Sequence, residues 1–293
     1  MDGRLKLAFP FVALAVFAAA GQRQLTLKGK DGSFVIRNYQ SFSVEQDPNK
    51  PNAFSFIMKG SPLLATIERQ KLDITAKQIN GRAERASGQE LLLETATLQG
   101  DVEVVATRPS KASANQEQTV KVETATATYA QDLEKLTFSG GMTLTQNDAP
   151  AGQSFRITGA KGELVLYPPG QSPQAKRAVR SMRLDGPINF DLKSRREVTS
   201  GTPPKRSMQP FTVKGKCRDL TYDDATRVLT LIQDVDIDGN DPLFLFTANA
   251  SRVVITLDDM GNPIKVEGEG SPGVTTASDK PKPPPAQGRR RAA

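Results

Sequence analysis

The chain of 293 residues contains no histidine and no tryptophan, and its single cysteine is Cys217. Without histidine it lacks the commonest general base and metal ligand of proteins. One cysteine cannot form an internal disulfide or a zinc or iron–sulfur site built on thiolates. The absence of tryptophan also argues against a sugar-stacking platform. These absences disfavour an enzyme, and the sequence predicts no catalytic residue, cofactor or metal.

One acidic fragment resembles the start of a calcium-binding loop. Asp236–Asp241 places oxygen ligands at alternating positions, but Asp241 stands where such loops need glycine and Thr247 where they need glutamate. The Asp-Gly-Asn sequence favours a turn between two strands instead. No glycine-rich phosphate loop of nucleotide-binding type appears in the required strand-to-helix setting.

Long apolar runs are also missing, except at the N-terminus. Arg4 and Lys6 precede an apolar run over 7–20 that ends in small residues, which predicts a secretory signal peptide over 1–20. A short uncleaved anchor is the alternative, although a bilayer span takes about 20 apolar residues. Either one predicts an exported protein. From Ser271 to Ala293 the chain is rich in proline and arginine and lacks periodicity, which predicts a disordered tail.

Strand-like alternation fills the region between the two ends. In 136–145 the apolar side chains Leu136, Phe138, Met142 and Leu144 alternate with polar ones around a central glycine, which indicates a bent, half-buried strand. The pattern recurs with centres at Gly60, Gly100, Gly140, Gly186, Gln233 and Gly268. A second alternating strand precedes each copy. The repeat predicts one all-β domain over 21–270, built of antiparallel strands, with Cys217 as a small buried apolar residue.

The quoted repeats, with LTFSGGMTLTQ, FRITGAKGELVLY and FTVKGKCRDLTYDDATRVLTLIQDVDI, resemble the organic-solvent-tolerance (OstA-like) family of lipopolysaccharide-transport proteins. The resemblance spans about 24–270. It implies two facing, twisted sheets (a β-taco or β-jellyroll) that hold the acyl chains of lipopolysaccharide or a related glycolipid between them. It also implies a periplasmic location, anchored to the inner membrane or associated with the outer one. Other lipopolysaccharide-transport proteins would dock at edge strands, and no nucleic acid is implied.

On this hypothesis the apolar strand faces line a lipid groove, and the glycines on the same face leave space for acyl chains. A core filled by its own side chains uses the same residues and stays open as the alternative. The predicted groove-lining residues are Phe138, Met142, Leu144, Ile157, Leu184, Ile188, Phe190, Phe211, Val213, Leu231, Val235, Phe244 and Phe246.

The net charge of +7 suits an anionic partner. Basic residues that connect or flank strands form a candidate phosphate-contacting rim, with solvated loop charge as the alternative. They are Lys176, Arg177, Arg180, Lys193, Arg195 and Arg196.

Sheet edges are expected in two places. Pro62 cannot donate a ladder hydrogen bond, so its strand is predicted to be an edge. Docking edges are expected around Phe34 and Ile36 in the first repeat and around Ile264 and Val266 in the last.

Two other functions remain open. An exported structural or adhesive β-solenoid without a lipid ligand would also be a repeat of strands, although its rungs are usually shorter than the 35 to 47 residues found here. A secreted polysaccharide-acting enzyme would need paired carboxylates in a cleft. The pairs Asp223-Asp224 and Asp258-Asp259 are better explained as turn residues.

Overall fold

The computed structural model describes residues 24–29, 32–68, 71–86, 91–110, 112–113, 115–167, 179–200, 205–242, 244–257, 263–270 and 274–279. Within these ranges the chain is all-β, as predicted, and contains no helix that is long and apolar enough to span a bilayer. Sixteen strands form one hydrogen-bonded sheet. They are β1 Gln24–Gly29, β2 Gly32–Arg37, β3 Ser41–Asp47, β4 Lys50–Ile67, β5 Leu72–Arg85, β6 Leu91–Pro109, β7 Glu117–Ala130, β8 Lys135–Asp148, β9 Gln153–Gly159, β10 Lys161–Leu166, β11 Val179–Ser200, β12 Lys205–Asp223, β13 Val228–Asn240, β14 Phe244–Leu257, β15 Pro263–Glu269 and β16 Val274–Asp279.

Most of these strands form an antiparallel meander of long strands, each interrupted near its middle. The register shifts between Lys59 and Leu63 in β4, between Gln99 and Val102 in β6, and at comparable points in β5, β7, β11, β12 and β13. We call this aligned row of interruptions the bend line. It divides the sheet into two layers that share one core.

The first layer contains β3, β10, β15 and one part of each long strand, such as 91–99 and 219–223. The second contains β1, β2, β9, β16 and the other parts, such as 102–109 and 205–217. The inward side chains of both layers belong to one apolar cluster that extends from Leu27 to Ile255.

Left-handed backbone at the bend line explains the central glycines of the repeat. Gly100, Gly140 and Gly186 have φ of 78°, 82° and 100°, a region that costs other residues about 1–2 kcal/mol. Gln233 occupies the same position with φ of 60°. In the last repeat Gly270, with φ of 95°, has this conformation, whereas Gly268 pairs with Val253 inside β15.

Three sequence predictions about strands are wrong. Pro62 does not mark an edge, because β4 is paired on both sides and Pro62 lies at the bend, where the ladder is interrupted. The fragment Asp236–Asn240 is the end of β13 and not a turn, since Asp236 pairs with Lys216 and Asn249. The repeat does not end at Gly270, because β16 continues it by pairing with the second-layer part of β14.

The predicted edge at the N-terminal end is also displaced. Phe34 and Ile36 lie in β2, which pairs with β1 on one side and β4 on the other. The edges here are β3 in the first layer and β1 in the second. At the other end β15 and β16 pair only with β14 among the described residues, so Ile264 and Val266 do lie on an edge.

A single backbone pairing joins the two layers on the side opposite the bend line. Lys28 of β1, in the second layer, pairs in parallel with Leu92 of β6, in the first. We call this pairing the bridge. It closes the sheet into a tube near its N-terminal end.

Candidate functional site

The predicted groove residues share the inward face. Three of them, Phe138, Leu184 and Leu231, lie in the first layer. Met142, Leu144, Ile157, Ile188, Phe190, Phe211, Val213 and Val235 lie in the second. All eleven are buried within the one cluster. Phe244 and Phe246 lie in β14, but their side chains are not among the described ones.

Cross-strand pairing aligns these side chains in continuous rows. In the second layer Leu144 faces Ile157, which faces Phe190 on the next strand. In the first layer Leu184 faces Leu220, which faces Leu231. Such rows make the interior apolar along the whole series of strands.

Three glycines on the inward face do not leave free space, contrary to the sequence interpretation. The ring of Phe190 covers Gly215, and the ring of Phe56 covers Gly81, so that a β-carbon at either glycine would overlap the ring. A β-carbon at Gly162 would lie 2.6 Å from Leu184 Cδ2. The central glycines Gly100, Gly140 and Gly186 serve the bend.

Sequence reasoning missed the N-terminal half of the interior. Leu27, Ile36, Met58, Leu63, Ile74, Ile79 and Leu98 are as deeply buried as the predicted residues. The same alternation marked Met58 and Leu98, but the predicted lining was restricted to 138–246. The repeat therefore contained the signal that would have extended the lining to β2.

The inward apolar face becomes exposed at both edges of the first layer. On β15, Val266 pairs with buried Ile255, yet its side chain is 44% exposed, and that of Ile264 is 64% exposed. On β3, Phe42 pairs with buried Met58 and is 41% exposed, with Tyr39 edge-on to its ring at 5.7 Å. The apolar rows thus run from one exposed end to the other.

The outward faces, in contrast, bear cross-strand ion pairs. Lys135 Nζ lies 2.8 Å from Glu163 and Lys216 Nζ lies 3.3 Å from Asp236. Lys121 bridges Glu103 and Glu123, and hydrogen bonds to these two carboxylates raise its pKa above the ordinary value. Exposed pairs of this kind add little stability but keep the outer faces solvated.

The predicted phosphate rim is divided between surfaces. Lys176 and Arg177 lie outside the described residues. Arg180 is exposed in the first layer, whereas Lys193 and Arg195 point outward from the second. Arg196 lies on the inward face, where its Nη1 is 2.6 Å from the carboxylate of buried Asp241. The four described residues of the predicted rim therefore do not form one continuous row.

Buried polar groups serve the turns. The carboxylate of Asp224 accepts hydrogen bonds from the hydroxyls of Tyr167 at 2.9 Å and Tyr222 at 2.8 Å, and Asp223 accepts from the backbone of Ala225, as expected of turn residues. At the opposite end of the strands Ser110 donates to fully buried Asp148 at 2.6 Å. Both clusters fasten loops to strands.

The described residues show neither an activated thiol nor a cluster of metal ligands. Cys217 is buried, as predicted, and burial followed by the charge of Asp219 raises the pKa of its thiol to about 12. Nucleophilic thiols have a lowered pKa instead. No cluster of three potential metal ligands occurs among the described residues. A surface depression of about 380 Å³ is lined by Glu163, Arg183 and Thr230 on the outward face of the first layer.

No family model matches the chain, and no curated protein matches its sequence. Among solved structures it is similar to LptH from Pseudomonas aeruginosa, described as the LptA homologous periplasmic component of the conserved lipopolysaccharide transport device. The identity is 12% and the TM-score 0.30, over 50% of this chain and 91% of that chain. At this identity the likeness says nothing about what the present chain binds.

Proposed function

We propose that the chain is a non-enzymatic, periplasmic carrier for the acyl chains of lipopolysaccharide or a related glycolipid, moving them from the inner toward the outer membrane. The observation that carries the proposal is the apolar inward face, which continues through every repeat and is exposed at Phe42 at one end and at Ile264 and Val266 at the other. The sequence resemblance to the lipopolysaccharide-transport family supports it.

An apolar interior with exposed ends suits a flexible hydrocarbon ligand. Each methylene group transferred from water to an apolar site gains about 0.8 kcal/mol. The inward side chains pack on one another, so acyl chains would enter by separating the two layers, which among the described residues are joined by backbone at the bend line and at the bridge. The energy that drives transport comes from elsewhere, because binding alone has no direction.

Partners of the same transport system would dock end to end at the edge strands. The C-terminal edge, β15, presents unpaired backbone beside the exposed Ile264 and Val266. Strand addition at this edge would extend both the sheet and its apolar face into the next protein.

The proposal is tested by replacing Ile264, which is exposed on the edge strand β15 beside the inward-facing Val266. Ile264→Asp should leave folding intact, because the side chain is already 64% exposed, and should lower the amount of glycolipid that copurifies without detergent. Leu245→Asp is the matched control, since Leu245 is 41% exposed and its neighbours in β14 alternate so that it faces outward. Mass spectrometry of lipids bound to the two variants and the wild type measures the effect.

Loss of lipid from Ile264→Asp but not from Leu245→Asp supports the carrier. Equal lipid content in all three proteins contradicts the role of this exposed end. A stable wild-type protein with no bound lipid, after export in a bacterium that makes lipopolysaccharide, would favour the structural or adhesive β-repeat protein. The close packing over Gly81 and Gly215 is the observation on which that second candidate rests.

A further inference from the structure

Strands β11 and β12 extend beyond their neighbours in the sheet. β9 pairs with β11 only as far as Lys193, and β13 pairs with β12 only as far as Thr212. From Ser194↔Phe211 to Ser200↔Lys205 the two strands make seven pairs solely with each other among the described residues. We call these paired segments, 193–200 and 205–212, the arm. At about 3.4 Å per residue its two-stranded part is about 20 Å long.

Positive charge is concentrated in the arm. Its 16 residues include five basic side chains and one acidic one, which gives four of the seven net positive charges of the whole chain. Arg196 pairs with Asp241, and Arg206 pairs with Glu197 at 3.2 Å through a contact that is largely exposed. Lys193, Arg195 and Lys205 form no ion pair with any residue that the structure describes.

The two faces of the arm differ. Val198 on the inward face is 8% exposed, although Ser207 and Lys205 farther along the same face are exposed. The outward face presents Lys193, Arg195, Arg206 and Met208, together with Glu197, the partner of Arg206. Met208 is 57% exposed. An exposed apolar side chain beside three cations, of which only Arg206 has an ion-pair partner among the described residues, is more than solvation of the strand requires. Charged residues alone would suffice to protect its edges.

We propose that the outward face of the arm binds the surface of a bilayer that contains anionic phospholipid. Arginine and lysine contact lipid phosphates, and Met208 enters the interface between them. Each basic side chain near such a surface strengthens binding about fivefold, and the attraction decays within a Debye length of about 8 Å at physiological ionic strength. Three outward cations and one apolar side chain thus suffice for reversible docking, without any lipid between the two layers.

The test measures cosedimentation of the full chain with vesicles of phosphatidylglycerol and phosphatidylethanolamine, and with vesicles of phosphatidylcholine. The arm variant combines Lys193→Gln, Arg195→Gln and Arg206→Gln. The control variant removes as many exposed positive charges elsewhere, through Lys59→Gln, Lys77→Gln and Lys265→Gln. The ratio of anionic to neutral vesicle binding is the readout, because the apolar N-terminal run would bind both.

The arm variant is expected to lose about a hundredfold in this ratio, from three side chains at about fivefold each, and the control to change little. At the same salt concentration, the Met208→Ala variant should bind anionic vesicles more weakly than the wild type does. Equal loss in both triple variants would overturn the proposal, because binding would then depend on the total charge of the protein and not on the arm. Retention of binding in the arm variant, or crosslinking of the arm to an acidic protein and not to lipid, would also overturn it.

This inference is independent of acyl-chain transport. The arm variant should retain the glycolipid that copurifies with the wild type, because none of its three residues faces inward. Loss of vesicle docking with retained glycolipid separates the two functions.

Discussion

At the residue scale, the bend line depends on backbone that crosses into the left-handed region. The sequence predicted these positions well, since glycine recurred at the centre of the repeat and glycine adopts positive φ without a steric penalty. Both a bend and free space on the inward face were expected at the glycines. The structure uses Gly100, Gly140 and Gly186 for the bend, but it fills the space over Gly81 and Gly215 with Phe56 and Phe190.

Gln233 provides a test of this explanation. Its φ is 60° and its side chain is exposed, so Gln233→Gly should relieve strain without loss of packing. We expect a gain of about 0.5 to 1 kcal/mol in the free energy of unfolding. Gly186→Ala should have the opposite effect, a loss of about 2 kcal/mol, because φ is 100° and the new β-carbon would lie 2.7 Å from Ala160 Cβ.

Urea denaturation of the two variants beside the wild type measures these changes. If Gln233→Gly proved neutral or destabilising, the glutamine side chain would have a stabilising contact that outweighs its backbone strain. If Gly186→Ala were tolerated, the bend would not require left-handed backbone.

The buried thiol of Cys217 predicts a pH dependence. Its pKa rises from the ordinary value of 9.0 to about 12 on folding, chiefly because burial disfavours the thiolate. Above pH 9 the unfolded chain therefore loses this proton while the folded chain keeps it, and stability falls as the pH rises. Relative to Cys217→Ala, the wild type should lose stability between about pH 9 and about pH 12.

Equilibrium unfolding of both proteins at a series of pH values checks this expectation, and the difference between them cancels the titration of other groups. A difference that stays constant with pH would show that the thiol titrates normally in the folded protein. Labelling by a thiol reagent at neutral pH should likewise be slow until the chain unfolds.

At the element scale, alternation was sufficient to predict strands but not their neighbours. The pairing of β2 on both sides depends on β1, and residues Gln24 to Gly29 showed too short a pattern to be recognised as a strand. The edge at Ile264 and Val266 was predictable because the repeat is shortened there. β16 was missed because proline and lysine follow it closely and obscure its six residues.

The arm illustrates the same limit. Its residues appeared in the sequence as a basic loop, and only the register of β9 and β13 shows that the loop is instead a hairpin that extends beyond the sheet. Charge alone suggested a rim for sugar phosphates. In the structure Lys193 and Arg195 lie on the outward face and Arg196 lies on the inward one. The sequence, considered without the strand pairing, grouped the three residues together.

At the scale of the whole molecule, the bridge between Lys28 and Leu92 can be fixed covalently. In a Cys217→Ala background, Lys28→Cys combined with Leu92→Cys should form a disulfide on oxidation, because the two backbones are directly paired. We expect this crosslink to raise thermal stability by restricting the unfolded chain. It should leave glycolipid loading unchanged if acyl chains enter from the C-terminal half.

Thermal denaturation and bound-lipid analysis, each with and without reductant, measure the two effects. Oxidation that abolishes loading and is reversed by reductant would show that the bridge itself must open for entry. Failure to crosslink would show that the pairing of β1 with β6 is transient.

The bridge also makes the two ends of the molecule unequal. If the chain carries acyl chains as proposed, a hydrocarbon tail would lie between the layers, whereas a bulky sugar attached to it would remain outside and meet the backbone of β1. A cargo with a large head group would then stop at the bridge unless the pairing of β1 with β6 opened. On this proposal the bridge would select cargo by the size of the part that stays outside.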